Sequence, residues 1–231
     1  MEVTPLTKRA FRSKRGLTGG LTFLLMGALA TMTLSGCGGP SYTYVADSAA
    51  STYYKVPSQW HQISQHDLNA VLQADGSPAT GVWSTAFDAD SSPSGHNFLD
   101  PSITKPFVFA QVIPLSSTAT NELSYNLLRD LFLPVTSAMR QQAQESGYPL
   151  TDFKSLRDQT ITAKQGVHGV RETYQYTFPG GKVDTFDEDV LTNADATTAY
   201  MLVVHCTATC YTQNQNNINT VLSSFTVGSP T

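Results

Sequence analysis

Val-Arg-Glu-Thr-Tyr-Gln-Tyr-Thr-Phe, residues 170–178, runs directly into Pro-Gly-Gly-Lys, residues 179–182. Val170, Tyr174, Tyr176 and Phe178 recur on one side, with Arg171, Thr173, Gln175 and Thr177 on the other. Period two with aromatic and β-branched residues reads as a half-covered strand. Glu172 breaks the alternation. The Pro-Gly-Gly-Lys stretch makes a hairpin turn, so Val183 to Leu191 returns antiparallel. Upstream, Gln159 to Ala163 reads as a strand turned by Gln165-Gly166. Downstream, Tyr200-Met201-Leu202-Val203-Val204 is apolar on both sides, as a covered central strand requires. The C-terminal half is therefore an antiparallel meander.

Helices flank it. Leu123, Leu127, Leu128 and Leu131 share one face at helical spacing, with Asn121 as N-cap. Pro134 should break that helix, and Val135, Met139 and Ala143 continue the stripe to Gly147. A last helix is expected from the capping-box pattern Thr212-x-x-Gln215, with Ile218, Val221, Leu222 and Phe225 on its buried face. The first half adds strands at Tyr53–Pro57, Gly81–Phe87 and Pro106–Ile113, and a short helix from Asp67 to Leu72. Strands and helices in this order predict an α+β domain, one antiparallel sheet covered by helices.

Before this domain stands a different kind of sequence. Lys8, Arg9, Arg12, Lys14 and Arg15 precede an uncharged run from Leu17 to Leu34. A cationic start, an apolar middle and small residues at the end make an export signal. The run is also long enough to span a bilayer, but its Gly and Thr content weakens that reading. Leu34-Ser35-Gly36-Cys37 resembles the bacterial lipobox, and the resemblance implies diacylation of the Cys37 thiol and cleavage before it. The expected organisation is a signal peptide over 1–36, a lipidated tether over 37–51 and one globular domain over 52–231. Residues 38–51 are small and polar, without helical or strand period. The expected place is the extracytoplasmic face of the cell membrane, with a lipid anchor.

Charge excludes some partners. The leader takes five of the 14 basic residues and one of the 18 acidic ones, which leaves nine against 17 and a net charge near −8. Nucleic acid needs a basic stripe, and anionic lipid repels such a surface.

Cys206 and Cys210 remain once Cys37 is set aside. Outside the cytoplasm a pair is expected to oxidise. Four residues of extended strand span about 13 Å, whereas one helical turn spans about 6 Å, so a disulfide requires the strand to end near Thr207. Free thiols, or a metal site with His205, are the alternatives, although His205-Cys206-x-x-x-Cys210 supplies too few ligands alone.

Asp88, Asp90, His96 and Asp100 fall in a loop that lacks the glycine and terminal glutamate of an EF-hand, so it reads as a solvated loop. Asp184, Asp187, Glu188 and Asp189 read as a solvent-facing hairpin edge. No Gly-x-Ser-x-Gly elbow, phosphate loop or zinc-hydrolase motif accompanies His61, His66, His96, His168 or His205. His205 reads as a core histidine. No catalytic residue, metal or cofactor is predicted.

Tyr54-Lys55-Val56-Pro57-Ser58-Gln59-Trp60, together with the run from Val203 through Asn217-Ile218 to Ser223-Ser224-Phe225-Thr226-Val227, resembles the PsbP-like superfamily. Within it the likeness is to the LpqN-like lipoproteins of actinobacteria. It spans about residues 52–227, and residues 64–101 stand outside it. The resemblance implies an α/β/α sandwich around an antiparallel sheet. It also implies a non-catalytic binding or accessory module of a cell-envelope complex, with an envelope protein as partner and no shared catalytic residues. The alternative is a carrier of a small apolar ligand or lipid held between sheet and helix by residues such as Phe107, Phe109, Tyr174, Tyr176 and Phe178.

Overall fold

The computed structural model describes residues 40–72 and 81–228. The leader, the Leu34-Ser35-Gly36-Cys37 motif and the first tether residues lie outside the described residues. In chain order the strands are β1 Tyr42–Asp47, β2 Thr52–Pro57, β3 His61–Gln62, β4 Trp83–Asp88, β5 Phe107–Pro114, β6 Thr151–Thr162, β7 His168–Thr177, β8 Val183–Thr192, β9 Thr198–Thr207 and β10 Thr226–Val227. The helices are α1 Gln65–Leu72, α2 Ser117–Glu122, α3 Tyr125–Arg129, α4 Ser137–Glu145 and α5 Ala208–Ser223. Seven strands form one antiparallel sheet in the order β3-β4-β5-β9-β8-β7-β6. A smaller sheet has the order β1-β2-β10.

The β7–β8 hairpin forms where its turn chemistry places it. Gly180 and Gly181 both take positive φ, at 94° and 81°, which a side chain would oppose. The Phe178 amide donates to the Lys182 carbonyl at 2.8 Å and closes the turn. The register sets Val170 opposite Val190 and Tyr174 opposite Phe186. Cross-strand partners share a face, so the sheet has two covered sides.

On the first side Tyr174 and Tyr176 join Phe186, His205, Phe107 and Phe109 in one aromatic layer, capped by Phe98 and Phe132. Helix α3 packs here against β7 and β8. On the second side α5 lays the buried Ile218, Val221 and Leu222 toward β8, β9 and β2. Each fully buried Phe or Leu of these layers contributes roughly 1.5–3 kcal/mol.

Several expectations change. Residues 38–51 are not all tether, because Tyr42–Asp47 pairs with β2 along its whole length. The leucine stripe from residue 121 is not one helix. Leu123 is extended, and Ser116 and Ser124 each cap a separate short helix by accepting an amide hydrogen bond, from Ala119 and Leu127. A serine cap in place outweighs a weak apolar period. Helix α5 starts at Ala208 rather than at Thr212, with the Thr207 hydroxyl accepting from the Cys210 amide. Strand β6 is 12 residues long, far beyond the expected 159–163.

The chain does leave its strand at Thr207, as a Cys206–Cys210 bridge requires. The Cα atoms are 5.9 Å apart and the sulfurs are at bonding distance. Among the described residues no helix is long and apolar enough to cross a membrane.

Candidate functional site

The acidic run on β8 is not a solvent edge. Asp184, Asp187, Glu188 and Asp189 are all buried, because β8 lies between β7 and β9 with layers on both sides. Alternation splits the run: Asp184 and Glu188 face the first side, Asp187 and Asp189 the second.

On the second side every carboxylate is matched. Arg171 Nε and Nη2 donate to the two oxygens of Asp189, at 2.6 and 2.5 Å. Asp187 accepts from the Tyr211 hydroxyl at 2.6 Å and from the Thr173 hydroxyl at 3.1 Å, with Arg157 at 3.9 Å. Burial still raises both aspartates above the usual carboxylate range.

On the first side the groups are under-satisfied. Glu172 lies opposite Glu188, and its break in the alternation is explained: it takes the core face where an apolar residue was expected. Both Glu188 oxygens and Oε2 of Glu172 have no hydrogen-bond partner. Arg129 of α3 reaches Oε1 of Glu172 at 3.6 Å but donates its best hydrogen bonds to Asp158. Burial, then the charge of Asp158, raises Glu172 to about 8, and burial raises Glu188 well above the usual range. At about 8, the protonated form of Glu172 prevails at neutral pH.

His205 is wholly buried, 3.6 Å from Asp184 Oδ2 through Nδ1, and stacked on Phe186. Its Nε2 accepts weakly from the Leu99 amide at 3.5 Å. It is a core histidine, though Nδ1 lacks a hydrogen bond. His61, His66 and His96 are exposed on separate elements and do not converge with it. In the loop after β4, the buried Asp88 accepts from the amides of Asp90 and Ser94 and from Asn97 Nδ2. Asp100 accepts from the Ser102 amide at 2.7 Å, which holds its pKa below the usual value. These carboxylates shape the loop. Among the described residues no group of three or more His, Cys, Asp or Glu side chains is placed to hold a metal.

Among the open concavities of the described residues, two lie against the faces of the large sheet with mainly apolar walls. One, of about 380 Å³, lies between α1 and the first face of the sheet. Phe98, Phe109, Phe132 and Met201 form its apolar part, and Gln65, Asn69, Ser84 and Gln111 turn amides and a hydroxyl toward it. The other, of about 740 Å³, lies on the second face where α5 ends. Ile161, Val167, Leu191, Leu222, Phe225 and Val227 line it, with the Arg171–Asp189 pair and Lys164 at its polar part. Sequence reasoning missed this groove, because its walls come from three distant segments. It also missed Arg129, Asp130 and Tyr211, which carry no motif. Asp130 accepts from the Val135 and Thr136 amides and the Thr136 hydroxyl, and so fixes the turn into α4.

No family model and no curated protein matches the chain. Among solved structures it is similar to cyanobacterial PsbP (CyanoP) from Synechocystis sp. PCC 6803, at 15% identity over 84% of this chain and 99% of that one, with a TM-score of 0.51. It is also similar to the Ran-binding protein Mog1p of Saccharomyces cerevisiae, at 8% identity over 81% and 96%, with a TM-score of 0.44. A Pseudomonas aeruginosa protein of unknown function shares 11% identity over 83% of this chain and all of that one, with a TM-score of 0.39. What the chain shares with the cyanobacterial protein is its fold, a PsbP-like α+β arrangement of antiparallel sheet and helices.

Proposed function

We propose that the protein is a lipid-anchored, extracytoplasmic binding or accessory module of a cell-envelope complex, held to the membrane through Cys37 and acting without catalysis. The leader and the Leu34-Ser35-Gly36-Cys37 motif support the anchor. The observation that carries the binding role is the groove of about 740 Å³ at the end of α5. It is open and largely apolar, whereas Glu172, Asp184, Glu188 and His205 are closed into the core away from it. The PsbP-like fold supports this reading at the level of fold alone.

The test is a photo-reactive amino acid placed at Thr226, beside the groove, in the full chain within intact cells. A discrete adduct at Thr226, and none from the same group at the exposed Tyr44, is the expected result. Equal labelling at both positions would overturn the groove as a binding site. Hydrolytic turnover by the purified chain, lost on substitution of one histidine, would overturn the non-catalytic role.

The aromatic pocket of about 380 Å³ favours the second reading, a carrier of a small apolar ligand. Native mass spectrometry of the full chain separates the two. Extra mass that leaves on denaturation identifies cargo, and bare protein mass returns the choice to the module.

A further inference from the structure

The groove continues into a free strand edge. Strand β6 closes one end of the seven-stranded sheet and pairs only with β7 among the described residues. Its ladder is irregular between Thr151 and Arg157, then unbroken from Arg157, opposite Thr173, to Thr162, opposite His168. Bulges, prolines and charges are the usual protections of an edge. The irregular half has bulges, but the stretch Gln159-Thr160-Ile161-Thr162 has none of the three. Every second residue there turns its amide and carbonyl outward, which is the template for an added strand.

Side chains on this edge state what kind of strand fits. Lys154, Arg157 and Ile161 share the second face, opposite Gln175, Thr173 and Gly169. Ile161 is also part of the groove wall. Lys154 and Lys164 are exposed and stand in none of the ion pairs of the described residues. Four of the nine basic residues beyond the leader fall between positions 154 and 171, against one acidic residue there, Asp158, which Arg129 engages. A second copy would bring the same cations to the same face and be repelled.

We infer that β6 is a docking edge for an extended segment of another protein that carries acidic residues and an apolar residue together on one face, at every second position, with polar residues between them. The segment adds as an eighth strand, its acidic side chains beside Lys154, Arg157 and Lys164 and an apolar one over Ile161 into the groove. This rests on the groove reading above and names the chemistry of its partner.

The experiment measures fluorescence anisotropy of an eight-residue, fluorescein-labelled peptide, Glu-Ser-Glu-Ser-Val-Ser-Glu-Ser (Glu–Val), whose Glu and Val share one face, titrated with the full chain in mild detergent. A Lys–Val peptide is the charge control. Two further Glu–Val peptides carry N-methyl groups on alternate residues, in opposite phases. Saturable binding of Glu–Val is expected, weakened about tenfold or more in K154E/K164E, whose substitutions are on the surface. One N-methyl phase should bind and the other should not. Equal binding of Glu–Val and Lys–Val, no binding of Glu–Val, or indifference to both N-methyl phases would overturn strand addition. Self-association that excludes the peptide would overturn it in favour of a second copy. A Glu–Ser peptide that binds as well as Glu–Val, with the N-methyl effect intact, would retain the edge and overturn the groove as the apolar site.

Discussion

Glu172 and Glu188 face each other across the β7–β8 ladder, both buried, beneath α3. Two carboxylates in direct opposition with a single distant cation cannot both ionise cheaply. The folded state therefore holds protons that the unfolded chain gives up.

The sign follows from that difference. Between about 4.5 and about 8 the folded Glu172 binds more proton than the unfolded one. Stability contributed by this group is full at low pH and is lost as pH rises through the folded value. Thermal melts of the wild-type chain should decline from pH 5 to pH 8.5, and Glu172→Gln, which removes the titrating group, should flatten that decline. The gain at pH 8 should be roughly 1–3 kcal/mol, and small at pH 5. A steeper decline in the variant would sink this account.

Arg171 and Asp189 predict the opposite kind of result. The aspartate is buried, and its two oxygens are each held by the guanidinium. Arg171→Met should cost about 3–5 kcal/mol, because it strands a charge. Adding Asp189→Leu should recover most of the loss, read by denaturant titration. A double variant as unstable as the single one would show that the pair is not the source.

Oxidation of Cys206 and Cys210 closes a short loop between β9 and α5. Chain entropy alone then gives about 2 kcal/mol. Cys206→Ser/Cys210→Ser, or reduction of the wild type, should lower the denaturant midpoint by that amount. Intact mass should differ by two hydrogens between the reduced and native chains. An unchanged mass would leave the thiols free.

Gly169 is fixed by approach rather than by turn geometry. A Cβ there would lie 2.0 Å from the Val190 carbonyl oxygen, on the neighbouring strand. Gly169→Ala should therefore open the β7–β8 ladder and cost about 2–3 kcal/mol or more. Gly147→Ala is the contrast, since nothing lies within 4 Å of the added atom, although its φ of 75° carries a smaller penalty.

Local pattern carried much of this fold. The alternation from Val170 to Phe178 and the Pro-Gly-Gly turn placed β7 and its partner within a residue or two. The spacing of Ile218, Val221 and Leu222 identified the buried face of α5. What failed was whatever depends on distant chain. The acids of β8 read as exposed because charge ordinarily means solvent, and only the position between β7 and β9 reverses that. Strand β6 was mostly missed because an exposed edge has no apolar period to show. The groove was missed because residues 161, 191 and 225 meet only after folding. The Glu172 irregularity was visible in the sequence, and its meaning needed the strand opposite.

The sheet order has a consequence in time. Strand β5 finds its second neighbour only in β9, where Phe107 meets His205 and Pro114 meets Thr198. Strand β9 is also the link between β5 and β8, so nothing before Thr198 joins the two halves of the sheet. A chain emerging from its N-terminus thus holds two unjoined ladders until Thr198–Thr207 is free. Pairing across such a separation is slow, and the waiting strands are the ones open to wrong partners.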